Sequence, residues 1–187
     1  VAALRWDGLF TPPSEQGTLV YPGFAGGVNW GGVSVRPDGL LVVNHMRLPM
    51  WVRLMERSGP GRGNQFGTPW HMERGMVTGP SGMPCSPPPW GLLTAVDLAS
   101  GDVRWEVPLG QVPALAGVPG SETWGSLNVG GPMMTSGGLV FVAATMDPVL
   151  RAFDQDTGRL LWRAELPTGA HATPMTYEVG GRQYVVV

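Results

Sequence analysis

Cysteine, net charge and long apolar runs are scarce in this sequence of 187 residues. The single cysteine, Cys85, excludes an internal disulfide and a metal site built from several thiolates. The 12 basic and 14 acidic side chains leave a net charge of −2, which does not indicate a nucleic-acid or polyanion-binding surface. No apolar run is long enough to cross a bilayer, no signal-peptide pattern opens the chain, and no amphipathic helix is indicated.

Glycine, proline and tryptophan are abundant instead. The chain contains 29 glycines, 19 prolines and 8 tryptophans. The glycines and prolines alternate with runs of valine, leucine and tryptophan, which is typical of turns between short strands, and a disordered chain would not be so rich in tryptophan. The length suffices for one good core. Because the sequence begins at Val1 without an initiator methionine and stops within an apparent strand, we expect a piece of a longer protein.

Short predicted strands are separated by long glycine- and proline-rich segments. Residues 1–28 are predicted to be irregular and residues 110–127 to form a loop. The segment 56–90 is too long for an ordinary connection, so we interpret it as a functional or covering loop inserted into the domain. Strands are predicted at residues 30–36, 39–44, 49–55, 91–97, 102–107, 129–135, 138–144, 148–154, 159–165, 171–177 and 183–187.

The strands repeat along the sequence. One pattern reads Ala95-x-Asp97-x-x-x-Gly101-x-x-x-Trp105 and returns as Ala152-x-Asp154-x-x-x-Gly158-x-x-x-Trp162. A longer segment, Asn29 to Pro49, returns without a gap as Asn128 to Pro148, and a shorter third copy starts at Thr173. Units of about 40–50 residues with four short strands each are typical of propeller blades. We therefore predict an all-β propeller with about four blades, some incomplete, and expect the interval between the longer copies to hold two blades, one lengthened by the 56–90 loop.

Each copy of the shorter pattern has the same physical interpretation. Its aspartate begins a tight turn, its glycine supplies the positive φ that closes the turn, and its tryptophan is large enough to fill the gap between neighbouring blades. We therefore assign Trp105 and Trp162 to equivalent packing positions between blades. The turn role of the two aspartates is favoured over acid–base catalysis with Glu106 or Glu165, because catalysis rarely repeats blade by blade.

The stretch Gly26-Gly27-Val28-Asn29-Trp30-Gly31-Gly32 precedes strand-like sequence. Its glycines allow a sharp turn or the close approach of another surface. If exposed, Asn29 and Trp30 offer a hydrogen-bonding edge and a flat stacking face, which suits a planar polar ligand. The alternative is a buried tryptophan capped by a turn asparagine, and the spacing alone leaves both open.

Other reactive side chains carry weaker signals. The three histidines lack metal-ligand spacing, and Cys85 lies in a proline-rich loop without a basic partner close in sequence, so it is interpreted as inert. The arginines of the long loop either face solvent or help to cover an anionic cofactor. These histidines and arginines are His45, His71, His171, Arg57, Arg62 and Arg74.

The tryptophan repeat and the Gly-Gly-x-Asn-Trp motif resemble those of the pyrroloquinoline-quinone (PQQ) dehydrogenases, which are eight-bladed propellers. Three further segments resemble the membrane-bound glucose dehydrogenase branch of that family, and the resemblance covers nearly all of residues 1–187. They are Val43-Asn44-His45-Met46-Arg47-Leu48, Gly82-Met83-Pro84-Cys85-x-x-Pro88-Pro89, and Thr173-Pro174-Met175-Thr176-Tyr177 with Gln183-Tyr184-Val185-Val186.

This resemblance implies that the chain is the C-terminal part of the propeller and that Asn29 and Trp30 form part of the PQQ site. It places the catalytic aspartate and the ligands of a Ca or Mg ion upstream, so no catalytic or metal-binding residue is assigned in this chain. The implied reaction is oxidation of a sugar hydroxyl at the anomeric carbon to a lactone. Electrons would pass to PQQ and then to ubiquinone, at the periplasmic face of the bacterial inner membrane.

A non-enzymatic propeller scaffold with similar tryptophan repeats, which would bind protein partners, is the alternative function. The Asn-Trp pair and the long 56–90 segment favour the enzyme. Without the blades that the resemblance places upstream, we expect this chain to be inactive and to associate with itself or with those blades.

Overall fold

The computed structural model describes residues 3–57 and 66–187. Almost all regular structure in these ranges is β-strand, and the short helices Pro113–Leu115 and Ser121–Thr123 are of the 3₁₀ type. No helix of the described residues is long and apolar enough to span a membrane. The strands are β1 (Thr18–Val20), β2 (Val28–Val35), β3 (Leu40–Met46), β4 (Met50–Glu56), β5 (Trp70–Met76), β6 (Gly91–Asp97), β7 (Val103–Pro108), β8 (Met133–Met134), β9 (Leu139–Val142), β10 (Val149–Asp154), β11 (Leu160–Glu165), β12 (Met175–Val179) and β13 (Arg182–Val186).

These strands form four sheets, ordered β1-β4-β5, β2-β3-β6-β7, β11-β10-β9-β8 and β12-β13, in which all paired strands are antiparallel. The predicted all-β fold is confirmed. The chain divides into two compact units. Val1–Gly26 and Arg47–Pro87 make the first unit, which contains the sheet β1-β4-β5, and Gly27–Met46 and Pro88–Val187 make the second, which contains the other three sheets.

The first unit contains strands where the sequence predicts none. Strand β5 pairs with β4 along its whole length, and β1 pairs with the other edge of β4. The prediction of a loop throughout 56–90 is therefore wrong for residues 70–76, and irregular structure throughout 1–28 is wrong for residues 18–20. Polar and apolar residues do not alternate along β5, so its sequence does not indicate a strand with one buried face. The strand forms through its pairing with β4. The part of the predicted loop at 58–65 lies outside the described residues.

Aromatic side chains pack on this sheet within the first unit. A Cβ at Gly75 would lie 2.9 Å from the indole Nε1 of Trp51, so the ring of Trp51 covers β5 at a position where only glycine fits. The guanidinium carbon of Arg74 lies 4.7 Å from the ring centroid of Phe24. Arg74 therefore packs as a cation on an aromatic face.

The core of the second unit lies between the sheets β2-β3-β6-β7 and β8-β9-β10-β11. Alternate residues of the central strands point into it, as the period of two along a strand requires. Apolar burial of this kind is the main favourable contribution to folding. The buried residues of this cluster are Leu40, Val42, Leu93, Ala95, Trp105, Leu109, Val140, Val142, Ala144 and Phe153.

Trp105 joins these two sheets. It lies opposite Ala95 on β6, and its indole Nε1 donates a hydrogen bond of 2.8 Å to the backbone oxygen of Gln155. The ring covers Gly158 so closely that a Cβ there would lie 2.5 Å from the ring atom Cε3. The glycine of the next repeat therefore serves two purposes, since it closes its own turn at φ 70° and leaves room for the tryptophan.

A charged link lies beside this joint. The guanidinium of Arg36, at the end of β2, bonds Asp38 through Nη2 at 2.7 Å and Asp156 of the next sheet through Nη1 at 2.8 Å. The hydrogen bond from Arg36 lowers the pKa of Asp38 below its usual value. Because both carboxylates are well exposed, the link contributes more to alignment of the two sheets than to stability.

Trp162 occupies the corresponding place in its own sheet without the same burial. It lies opposite Ala152, as Trp105 lies opposite Ala95, so the expected equivalence within the sheet holds. Trp105 is 8% exposed, however, whereas Trp162 is 50% exposed. The prediction of packing between blades is confirmed for Trp105, and for the half-exposed Trp162 it stays a prediction.

The interval between the two longer sequence copies differs from the expectation. Asn29 starts the sheet β2-β3-β6-β7, and the Asn128 copy leads directly into β8-β9-β10-β11. The expectation of two blades between them, one lengthened by the 56–90 loop, is wrong. The interval holds one four-stranded sheet together with β4 and β5, which pair with β1 in a sheet of their own. The third copy forms the two-stranded sheet β12-β13.

We expect Trp105→Phe to lower the free energy of unfolding by about 1–3 kcal/mol, because the carbonyl of the buried Gln155 loses its indole donor. The matched change Trp162→Phe should stay within about 0.5 kcal/mol, since half of that side chain already faces solvent. Urea unfolding followed by circular dichroism measures both. Equal losses would contradict the difference between the two positions.

Candidate functional site

Asn29 and Trp30 lie on an irregular part of β2. Val28 pairs with His45 and Val33 pairs with Val43, so four residues of β2 stand where β3 contributes only Asn44. Such a bulge is favoured here by Gly31 and by Gly32, whose φ of 72° is left-handed. The backbone that follows Trp30 is thereby turned out of the regular ladder.

The bulge brings the indole of Trp30 to the surface. Trp30 is 68% exposed, while Asn29 is half-buried and its Oδ1 accepts a 2.7 Å hydrogen bond from the backbone N–H of Trp30. The interpretation as a buried, capped tryptophan therefore fails. The interpretation as a stacking face beside an amide is the one that this geometry allows.

Glycines of two sheets meet directly behind Trp30. A Cβ at Gly31 would overlap the carbonyl carbon and oxygen of Gly130 and the nitrogen of Gly131. The third copy of the repeat joins them, because the hydroxyl of Thr173 donates a 3.2 Å hydrogen bond to the Gly31 carbonyl. A Cβ at Gly130 would in turn lie 2.6 Å from the carbonyl oxygen of His171. Three repeat copies thus come together at the Asn-Trp bulge.

Two buried asparagines support this junction. Asn44 and Asn128 are each 1% exposed, and the Nδ2 of Asn44 donates to the Oδ1 of Asn128 at 2.7 Å and to the Gly130 carbonyl at 3.2 Å. The Nδ2 of Asn128 donates to the carbonyls of His45 at 3.2 Å and Ser126 at 3.3 Å. In the sequence, Asn44 lies in the segment Val43–Leu48 and Asn128 opens the second copy of the longer repeat, and neither pattern indicates that the two side chains pair.

His45 belongs to a second cluster of polar side chains, which lies on the sheet β2-β3-β6-β7. Its Nε2 lies 2.9 Å from the hydroxyl of Thr94, which donates to Oε2 of Glu106 at 3.1 Å. His45 and Glu106 themselves are 3.6 Å apart. Asp97, the other member of the acid–base pair considered from sequence, instead accepts the backbone N–H of Ala99 at 2.9 Å, as its turn role requires.

A nearly buried ion pair joins two loops of the second unit. The guanidinium of Arg151 bonds the carboxylate of Asp147 and the hydroxyl of Thr145, the latter at 3.1 Å. The backbone N–H of Gln111 donates to the same carboxylate at 3.1 Å. Within residues 3–57 and 66–187, no three histidine, cysteine, aspartate or glutamate side chains come together in a way that could hold a metal ion.

In sequence and in fold, this chain is similar to quinoprotein dehydrogenases. A family model described as the PQQ glucose/ethanol/alcohol dehydrogenase β-propeller domain matches residues 1–185. The chain is 41% identical to the quinoprotein glucose dehydrogenase of Escherichia coli K12, over 98% of this chain and 26% of that protein. It is 38% identical to the quinate/shikimate dehydrogenase (quinone) of Acinetobacter baylyi, over 99% of this chain and 26% of that protein.

A solved relative shows the same fold. The quinohemoprotein alcohol dehydrogenase of Comamonas testosteroni superposes with a TM-score of 0.64 at 30% identity, covering 90% of this chain and 23% of that one. The predicted propeller and the predicted family are confirmed by these likenesses. The chain spans only about a quarter of the length of these relatives.

We expect Gly31→Ala to lower the free energy of unfolding by about 3 kcal/mol or more, because the added methyl group overlaps backbone atoms that have no rotamer to escape into. Gly117→Ala is the matched control, since its Cβ meets nothing within 4 Å. That change should be neutral or stabilising by up to about 1 kcal/mol. Thermal unfolding monitored by circular dichroism compares them. Equal tolerance would mean that the glycine junction is looser than described.

Proposed function

Because the chain belongs to the family of PQQ-dependent glucose, ethanol and alcohol dehydrogenases with a β-propeller domain, we propose that it is part of a quinoprotein dehydrogenase whose cofactor contacts Asn29 and Trp30. Residues 1–187 then correspond to the C-terminal blades of the propeller. The single observation that carries the site is the exposed indole of Trp30 beside the half-buried amide of Asn29 on the bulge of β2.

The residues of the bulge fit a flat, oxygen-rich molecule. PQQ is a planar fused-ring quinone with carboxylate groups, so it needs a stacking surface and donors at its edge. The indole of Trp30 offers such a surface, because most of it is exposed. The carboxamide of Asn29 carries two N–H donors at its Nδ2, and its Oδ1 is held by the backbone N–H of Trp30.

When bound, PQQ supplies the redox chemistry by taking up two electrons from the substrate. The chain's own contribution is position. The hydrogen bond between Asn29 and the Trp30 backbone fixes the amide relative to the strand that carries the indole. The glycine junction behind Gly31 fixes the strand itself, so the backbone that carries both groups is already in place when the cofactor enters.

The substrate class proposed is a sugar, oxidised at the anomeric hydroxyl to a lactone. Glucose dehydrogenases of E. coli and Acinetobacter calcoaceticus are 41% identical to the chain. Enzymes for quinate/shikimate and for glycerol reach 38%. In this proposal electrons pass on to ubiquinone at the periplasmic face of the inner membrane. A Ca²⁺ or Mg²⁺ ion accompanies PQQ, with ligands from outside this chain.

The test uses a chimera in which these 187 residues replace the matching quarter of the E. coli glucose dehydrogenase. We expect the chimera, supplied with PQQ and calcium, to bind PQQ and to oxidise glucose. Asn29→Ala should raise the Kd for PQQ by about 5- to 150-fold, which corresponds to the about 1–3 kcal/mol lost when a buried hydrogen-bonding partner is removed.

Trp162→Ala is the matched control in the same chimera. It should lower thermal stability while leaving the PQQ affinity of the folded fraction unchanged, because Trp162 lies on β11, an edge strand of a different sheet from the one that carries the bulge. Equal losses of affinity from the two variants would contradict the assignment of Asn29 to the site. A folded chimera that binds no PQQ would favour the non-enzymatic scaffold.

On its own, the 187-residue chain is proposed to be inactive and to associate. The sheet β12-β13 has only two strands, and Met175 and Val179 are 56% and 61% exposed on it. Exposed apolar strands with open edges promote pairing between molecules. Sedimentation velocity at several concentrations should show species larger than the monomer. A compact monomer throughout that range would contradict this expectation.

A further inference from the structure

The buried amides of Asn44 and Asn128 can be oriented in only one way. The Nδ2 of Asn44 faces two acceptors, Oδ1 of Asn128 and the carbonyl of Gly130. The Nδ2 of Asn128 faces the carbonyls of His45 and Ser126. Turning either amide around would place oxygen against oxygen, so the pair acts as a fixed connector and not as an adaptable one.

One atom of this connector has no hydrogen-bond partner. The Oδ1 of Asn44 is buried and accepts nothing from the described residues. A buried unpaired acceptor costs free energy. The Nδ2 of the same side chain, however, donates to Oδ1 of Asn128 and to the Gly130 carbonyl, and an apolar residue would leave both of these acceptors without that donor. An asparagine at this position is therefore explained by the two groups it holds and not by its own packing.

Asn44 is also the residue of β3 that stands opposite the bulge. Its neighbours His45 and Val43 pair with Val28 and Val33, which leaves Asn44 facing Asn29–Gly32. Its side chain holds the Gly130 carbonyl. The Gly130 peptide in turn abuts Gly31, the residue directly after Trp30. One side chain therefore connects both boundaries of the bulge, the facing strand and the neighbouring sheet.

We propose that Asn44, with Asn128 as its partner, is a positioning residue for Asn29 and Trp30. Its hydrogen bonds fix how closely the Gly130 peptide packs against Gly31. This distance in turn sets the direction in which the indole of Trp30 leaves the strand. The part of this inference that concerns PQQ rests on the proposed function. The part that concerns the Trp30 geometry does not.

The chain offers a matched control for this inference. Trp105 joins the same two sheets through its bond to the Gln155 carbonyl, but it lies on β7, the edge strand opposite the bulged β2. Trp105→Phe therefore weakens the sheet contact without touching the Asn44 connector. Asn44→Asp keeps the size of the side chain and replaces its donor by an oxygen that faces Asn128 and the Gly130 carbonyl.

The first experiment needs no cofactor. The chain is labelled with 5-fluorotryptophan, the ¹⁹F resonance of Trp30 is assigned with Trp30→Phe, and its shift is compared between variants. Asn44→Asp should move or split that resonance, whereas Trp105→Phe should leave it in place. An unchanged Trp30 resonance in folded Asn44→Asp would overturn the inference. If Asn44→Asp does not fold, the double variant Asn44→Val with Asn128→Val, which removes both polar partners at once, is judged by the same criterion.

The second experiment measures PQQ affinity in the chimera. Asn44→Asp should raise the Kd for PQQ by about 3- to 30-fold, and Trp105→Phe should not change it in the folded fraction. Suppose that Asn44→Asp moves the Trp30 resonance but that neither Asn44→Asp nor Asn29→Ala changes the affinity for PQQ. The proposed cofactor site is then wrong, while the positioning of Trp30 by Asn44 is retained. If the affinity falls with Asn29→Ala but not with Asn44→Asp, the inference about PQQ is overturned.

Discussion

Direct contact between the backbones of Gly31 and Gly130–Gly131 is the constraint on which the second unit depends. Main-chain atoms there approach so closely that no side chain fits between them. A contact of this kind has no rotamers and little freedom to adjust, so it fixes the distance between two sheets more strictly than interdigitating side chains do. The exposed Trp30 next to it gains a rigid support, although most of its own side chain faces solvent.

The contact between the two sheets uses different chemistry along its length. Beside the bulge it consists of glycine backbone and the buried amides of Asn44 and Asn128. In the middle it is apolar. At the turns it consists of the indole of Trp105 and the guanidinium of Arg36. Directional hydrogen bonds at both ends restrict sliding, which the apolar middle alone would permit, and the sheets therefore keep one alignment.

The sequence predicts the repeated parts of this fold well, because their physical requirements are local. An aspartate, a glycine and a tryptophan at fixed spacing specify a turn and the position of a large ring, and Trp105 lies where that spacing puts it. Strand β5 could not be predicted, since its residues show no alternation and its partner β4 lies beyond a long connection. The same pattern specifies the position of Trp162 but not what covers it, and this side chain is half exposed here.

The sequence predicts only part of the candidate site. The glycines around Asn29 and Trp30 indicate an unusual backbone, but exposure of the indole depends on a register shift against β3 that no local pattern encodes. The connection between Asn44 and Asn128 depends on two repeat copies that meet in space with their amides in complementary orientation. A single sequence shows that both asparagines are present, but it does not show that their side chains form a hydrogen bond.

The insertion of Arg47–Pro87, the second segment of the first unit, between β3 and β6 has a consequence for how the chain folds. These two strands pair from Leu40 opposite Asp97 to Met46 opposite Gly91, yet Arg47–Pro87 separates them in sequence. Closing so long a loop lowers the entropy of the chain before any of the seven residue pairs between β3 and β6 can form and compensate for the loss. Prior folding of the β4–β5 hairpin would shorten the effective loop, because its ends are already close together. Chain entropy therefore favours an order of folding in which the β4–β5 hairpin, which contributes no strand to the four-stranded sheet, forms before β3 and β6 pair.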